Sequence, residues 1–158
     1  MPLRFAVYFN SLIAEIHKKN MSYKYLEHST DAFIEVKAKT LEEAFSVAGK
    51  SVVETIIDLK NIQEIEEKSI KVKGRNLLNL LYNWLEEIVT ITITDGFAIK
   101  KFSVNIKKNT EYEIVSKVSG EKLDLKKHNF KIEIKSPTFH LMEIKENDEV
   151  TMQYLLDL

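Results

Sequence analysis

Residues 40–59, TLEEAFSVAGKSVVETIIDL, decide the class of fold. Leu41, Ala44, Phe45, Ala48, Val52, Ile56 and Leu59 recur every three to four residues, the spacing that draws one apolar stripe along a helix. Thr40 and Glu43 form a capping box: the threonine oxygen can take the Glu43 amide, and Glu43 can reach back. On both sides the period falls to two. Upstream, Tyr23 and Tyr25 alternate with lysines, and Phe33, Ile34, Val36 and Ala38 form a second apolar stretch. Downstream, Ile70 and Val72 alternate with Lys71 and Lys73. These segments read as strands around a helix.

A second helix follows Gly74 and Asn76, with Leu77, Leu80, Leu81, Trp84, Leu85 and Ile88 on one side. It is expected to run to about Ile91, before Asp95-Gly96 turns the chain. The remainder reads as β. Apolar residues alternate at Phe102, Val104 and Ile106, then at Tyr112, Ile114 and Val118, then at Phe130, Ile132 and Ile134. Phe139 and Leu141 begin another stretch, and Val150, Met152, Tyr154 and Leu156 close the chain. The expected fold is α+β, with two amphipathic helices packed on one face of a mostly antiparallel (mixed) β-sheet. Residues 1–20 read as an N-terminal extension and residues 21–158 as a single domain.

Composition narrows the function. With 158 residues, 44% of them hydrophobic, the chain can build a real core. It has no cysteine, so a disulfide framework, a thiol nucleophile and a cysteine zinc site are excluded. That fits a reducing cytoplasm, and no apolar run is long enough to cross a bilayer. The net charge is −1, so no global field draws the chain onto nucleic acid or an anionic membrane, and Arg4 and Arg75 are the only arginines, so direct RNA binding is not expected. Abundant Lys and Glu with two glutamines resemble a thermophile's bias. There is no phosphate-cradling glycine loop, no paired-histidine helix and no nucleophile elbow.

Two aspartates remain as candidates for chemistry. Asp31 ends the polar break Glu27-His28-Ser29-Thr30-Asp31 between two strands. Such a break can be a turn in which short polar side chains bond the backbone, or a carboxylate offered to a metal at a sheet end. Asp157 follows Met152, Tyr154 and Leu156, so it should sit at the end of an anchored strand rather than in a frayed tail. Leu158 adds a backbone oxygen and a carboxylate. Asp31, Asp157 and Leu158 would be hard oxygen donors suited to a divalent cation such as Ca²⁺, with Mg²⁺ or Mn²⁺ as alternatives. His28 and His140 are candidate acid–base groups or structural histidines. His128, in a lysine-rich loop, and His17 read as surface residues. Tyr82 and Trp84 read as core, and the pairs Lys100-Lys101, Lys107-Lys108 and Lys126-Lys127 as solvated.

These residues resemble a known family. Glu27-His28-Ser29-Thr30-Asp31, then Thr40-Leu41-Glu42-Glu43-Ala44-Phe45, is similar to the opening of archeases, Glu-His-Thr-Ala-Asp followed by Thr-Leu-Glu-Glu-Ala-Phe. Leu80-Leu81-Tyr82-Asn83-Trp84, Gly120-Glu121-Lys122-Leu123-Asp124 with His128, Ser136-Pro137-Thr138-Phe139-His140 and Leu156-Asp157-Leu158 follow in family order. Ser29-Thr30 departs from Thr-Ala, and Pro137 and Phe139 from Val and Tyr. The resemblance implies a small α+β accessory protein. It would activate an RtcB-type tRNA-splicing ligase by promoting guanylylation and repeated turnover, and would not be catalytic itself. A chaperone-like partnership with a tRNA methyltransferase is a second association of the family. The resemblance also implies that Asp31, Asp157 and Leu158 hold the metal. A metal-dependent enzyme acting on a nucleotide is the third reading to be distinguished.

Overall fold

The chain alternates strands and helices in the order β1 (Ser22–Leu26), β2 (Asp31–Ala38), α1 (Leu41–Ile56), β3 (Glu66–Gly74), α2 (Leu77–Val89), β4 (Phe97–Lys108), β5 (Tyr112–Lys122), β6 (Ser136–Glu146) and β7 (Val150–Asp157). The computed structural model describes residues 21–26 and 31–158. The extension expected at residues 1–20, with His17, and the segment containing His28 lie outside them. The α+β class holds, and among the described residues every strand pairing is antiparallel. The strands divide into two sheets, in the orders β1-β2-β7-β6 and β3-β5-β4.

Both helices touch both sheets. α1 packs on β2, β1 and β7 of one sheet and β4 of the other; α2 packs on β6, on β3 and β5, and on α1. The α1 stripe is fully buried at Ala44, Phe45, Ala48, Val52, Val53 and Ile56. Each large side chain so buried contributes about 1.5–3 kcal/mol. Trp84 is also fully buried, and its indole N–H donates to the Phe45 carbonyl at 2.8 Å. Gly120 lies where a Cβ would come within 1.9 Å of the Ala98 carbonyl, so β4 and β5 meet there only because glycine has none.

Polar groups on α1 pin the core tyrosines. Ser51 Oγ donates to the Ala48 carbonyl, so the Tyr154 hydroxyl, 2.5 Å away, donates to Ser51. Thr55 donates to the Ser51 carbonyl, and Tyr25 donates to Thr55 at 2.7 Å. Tyr23 donates to Glu54. Burial pushes the Tyr25 and Tyr154 hydroxyls well above their ordinary range.

Local expectations fared unevenly. The Glu43 amide does bond Thr40 Oγ1 at 3.2 Å, but the Glu43 carboxylate reaches back to the Lys39 amide instead of Thr40. The second helix ends close to the expected place, before the turn at Asp95-Gly96. α2 widens into a π-helix at Thr90–Thr94, which carries the apolar face on to Ile91. The alternation at Phe130, Ile132 and Ile134 is not a strand. The Lys131 amide is spent on the Ile56 carbonyl at the end of α1, and Lys131 Nζ bonds the Glu54 carbonyl at 3.0 Å and Asp58 at 2.8 Å. α1 has no basic residue in its last turn, and this loop supplies the cation that its C-terminal dipole favours. Burial pushes the Lys131 ammonium down to about 8.

Candidate functional site

β7 lies between β2 and β6, and that position assembles the site. Asp31 opens β2, Asp157 ends β7, and the two are direct register partners. Ser136, the first residue of β6, is the partner of Asp157 on its other side. Directly opposed residues of an antiparallel pair share a face, with Cβ atoms about 4.5–5.5 Å apart. The even-numbered residues Ala32, Ile34, Met152, Tyr154 and Leu156 fill the core, which turns Asp31 and Asp157 outward together. Like charges so placed repel unless something positive comes between them.

The two carboxylates line a cleft of about 550 Å³ with Ser136, Thr138, Phe139, His140 and Tyr82. Its rim is irregular for a structural reason. Thr138 pairs with Leu155 and Glu143 with Gln153, so residues 139–142 stand against Tyr154 alone. Leu141 in this bulge has φ 59°, a left-handed conformation costly to a leucine. The bulge throws Phe139 outward, 53% exposed, where it stacks on Tyr82 with ring centroids 4.4 Å apart. Tyr82, expected in the core, is therefore a cleft residue, while Trp84 fulfils the expectation. His140 lies exposed in the same bulge, its amide bonded to Thr138 Oγ1 at 3.1 Å.

The donor chemistry fits a hard cation. Two carboxylates, hydroxyls and backbone oxygens are the ligands that Ca²⁺ and Mg²⁺ accept. Among the described residues no three His, Asp or Glu side chains gather closely enough to hold an ion unaided. Oxygens of Leu158 and water would have to complete the shell. The Leu158 side chain packs on the core, which fixes the chain beside Asp157, and the Asp157 carbonyl accepts from the Lys135 amide at 2.8 Å.

The expectation for His128 is overturned. It is fully buried, not a surface residue. Its Nδ1 accepts the Asp124 amide at 3.0 Å, so the ring proton sits on Nε2 and is donated to Glu121 Oε1 at 2.7 Å. Lys127 Nζ, expected to be solvated, bonds the same oxygen at 2.5 Å. These bonds, Lys127 foremost, hold the Glu121 carboxyl below its usual range. Asp124 Oδ1 accepts the amides of Lys126 and Lys127, and the His128 carbonyl accepts the Asp58 amide at 2.8 Å. The motif is a bolt between a loop and the end of α1, away from the cleft.

Known proteins share this sequence and shape. Residues 23–158 match the archease protein family (MTH1598/TM1083). Protein archease of Pyrobaculum islandicum is 34% identical over 143 residues, 89% of this chain and 97% of its own. Protein archease of Methanosarcina barkeri is 36% identical over 139 residues, 86% of this chain and 95% of its own. The solution structure of Methanobacterium thermoautotrophicum protein 1598 covers 86% of this chain and 98% of its own, with a TM-score of 0.74 at 28% identity.

Proposed function

The chain belongs to the archease family, and from that premise we propose that it is an accessory protein that activates an RtcB-type tRNA-splicing ligase. It would promote guanylylation of the ligase and its multiple turnover, without being the catalyst. The observation that carries this reading is the opposition of Asp31 and Asp157 across β2 and β7 at the mouth of a cleft. A carboxylate pair facing outward is costly to a fold and useful to a cation.

Asp31 and Asp157 would hold a divalent cation, Ca²⁺ by the donor set, with Leu158 contributing oxygen. Such a cation supplies positive charge against phosphate oxygens. The chain's own part is positional. The β2–β7 register sets the spacing of the carboxylates, and the packed Leu158 side chain keeps the end of β7 from fraying.

The test is multiple-turnover joining of a split tRNA by limiting cognate ligase, with and without this protein. A large gain that Asp31→Ala abolishes, in a variant whose circular dichroism is unchanged, is the expected result. An unaltered gain with Asp31→Ala refutes the metal-site mechanism. No gain at all shifts the assignment to partnership with a tRNA methyltransferase. GTP hydrolysis by the chain alone would instead favour a metal-dependent enzyme acting on nucleotides.

A further inference from the structure

The whole chain is close to neutral, but its two sheets are not charged alike. In the β3-β5-β4 sheet, Lys73 stands opposite Glu113 and Glu113 opposite Lys107; Lys117 stands between Ser69 and Ser103, and Lys71 lies in the row of Asn105. All these residues share the face turned away from Ile70, Val72 and Ile114 in the core. Within the strands, with Lys101 and Glu67, that face carries five lysines and two glutamates; Glu111, paired with Lys73, and Glu64, which accepts from the Ser119 hydroxyl, add two carboxylates at its rim, for a net charge of +1. The corresponding face of the other sheet carries three lysines and four carboxylates, Asp31 and Asp157 among them. Lys117 is paired with Glu67 at 3.6 Å, and Lys73 with Glu111 at 3.6 Å and Glu113 at 3.7 Å. Lys71, Lys101 and Lys107 are exposed and have no carboxylate within ion-pair distance among the described residues.

The rest of the face says what it is built to meet. Within its strands the one apolar side chain is Val115, half-buried, and a single exposed isoleucine, Ile65, stands at the end of β3. A protein partner would need a buried aromatic or arginine anchor, and a bilayer an apolar wedge. A single nucleic-acid strand would need rings to stack on, and guanine reading would need arginine. What is present is a flat sheet of point charges, interleaved with the hydroxyls and amide of Ser69, Ser103 and Asn105, at strand repeats of about 6.7 Å. Those groups suit phosphate oxygens and sugar hydroxyls, the parts of an RNA duplex recognised by shape.

We propose that the outer face of the β3-β5-β4 sheet docks the phosphate backbone of duplex RNA without reading its sequence. Three unpaired lysines set the scale. About three released counterions give a log–log salt slope near −2.7, so affinity falls about 40-fold from 50 to 200 mM salt.

The test is fluorescence anisotropy of the full chain with a labelled RNA duplex of about 20 base pairs across that salt range. Lys71→Glu with Lys107→Glu should weaken binding at least tenfold and make the slope shallower by about two. Lys37→Glu with Lys145→Glu, an equal charge change on the other sheet, should leave binding at the wild-type level. No duplex binding at 50 mM salt overturns the proposal. So does equal weakening by the two double variants, or single-stranded RNA binding as tightly as duplex. All substitutions are at surface positions, and circular dichroism checks the fold. The face and the carboxylate cleft lie on different sheets and share no residue, so failure here leaves the ligase reading to its own test.

Discussion

Replacing Asp157 with asparagine separates a binding site from a structural feature, because the two cases have opposite signs. Asp157 faces Asp31 directly across β2 and β7. Like charges so opposed cost a sheet about 0.2–1 kcal/mol. In EDTA, therefore, Asp157→Asn should be as stable as the wild type or gain up to about 1 kcal/mol. With Ca²⁺ the order reverses. At a hundred times its dissociation constant a bound ion adds about 2.7 kcal/mol to the wild type. For a chain of this size that raises Tm by roughly 5–10 °C. The variant, lacking one of the two carboxylates, should show little of this rise. The assay is thermal denaturation followed by circular dichroism, run in EDTA and over a CaCl₂ series, with MgCl₂ and MnCl₂ alongside. A variant clearly less stable in EDTA would mean that Asp157 supports the fold. Equal Ca²⁺ shifts in both proteins would mean that the ion binds elsewhere. Either result refutes the reasoning.

Three further outcomes are expected. Ser51→Ala strands the buried Tyr154 hydroxyl and should cost about 1–3 kcal/mol, whereas Tyr154→Phe leaves Ser51 donating to Ala48 and should cost about 0.5–1.5 kcal/mol; urea denaturation of both singles and the double variant checks this, and a costlier Tyr154→Phe would reverse the assigned donor. Gly120→Ala drives a methyl into the Ala98 carbonyl and should lose about 3 kcal/mol or more, measured by the same denaturation. Glu121 has a lowered folded pKa, so its contribution is complete above the unfolded value near 4.5 and is lost as the pH falls through the folded value; Glu121→Gln should flatten the loss of stability between about pH 5 and pH 3, and an unchanged acid limb would show that its bonds to Lys127 and His128 do not matter.

What the sequence revealed depended on the distance over which its signals act. Helix α1 was legible because its stripe and its capping threonine are local, and β7 because its alternation continues to Leu156. That same alternation placed Asp157 on an anchored strand. The meeting of Asp157 with Asp31 is another matter: they are brought together by a β2–β7 pairing that no period encodes, and only the family resemblance pointed to it. His128 was misread because its neighbours are lysines, while the groups that bury it, Asp58 and Glu121, lie outside the loop. Asp124 four residues earlier was the available signal, since an Asx turn there folds the loop back on the ring. The alternation at Phe130, Ile132 and Ile134 misled for a related reason. A strand needs a neighbour as well as a pattern, and the Lys131 amide found the end of a helix instead. The bulge that exposes Phe139 leaves no mark in composition at all.

The last strand of the chain occupies an inner position of its sheet. During synthesis the β1–β2 hairpin must therefore wait, one edge unpaired, until more than a hundred residues have followed it. Closing so long a loop is slow, and the waiting edge is a place where two nascent chains can pair wrongly. It also means that the carboxylate pair does not exist until β7 has been made and has paired with β2. A divalent ion cannot nucleate this fold by clamping Asp31 to Asp157; it can only lock a sheet that has already closed. Ion binding should therefore slow unfolding and leave the rate of folding unchanged.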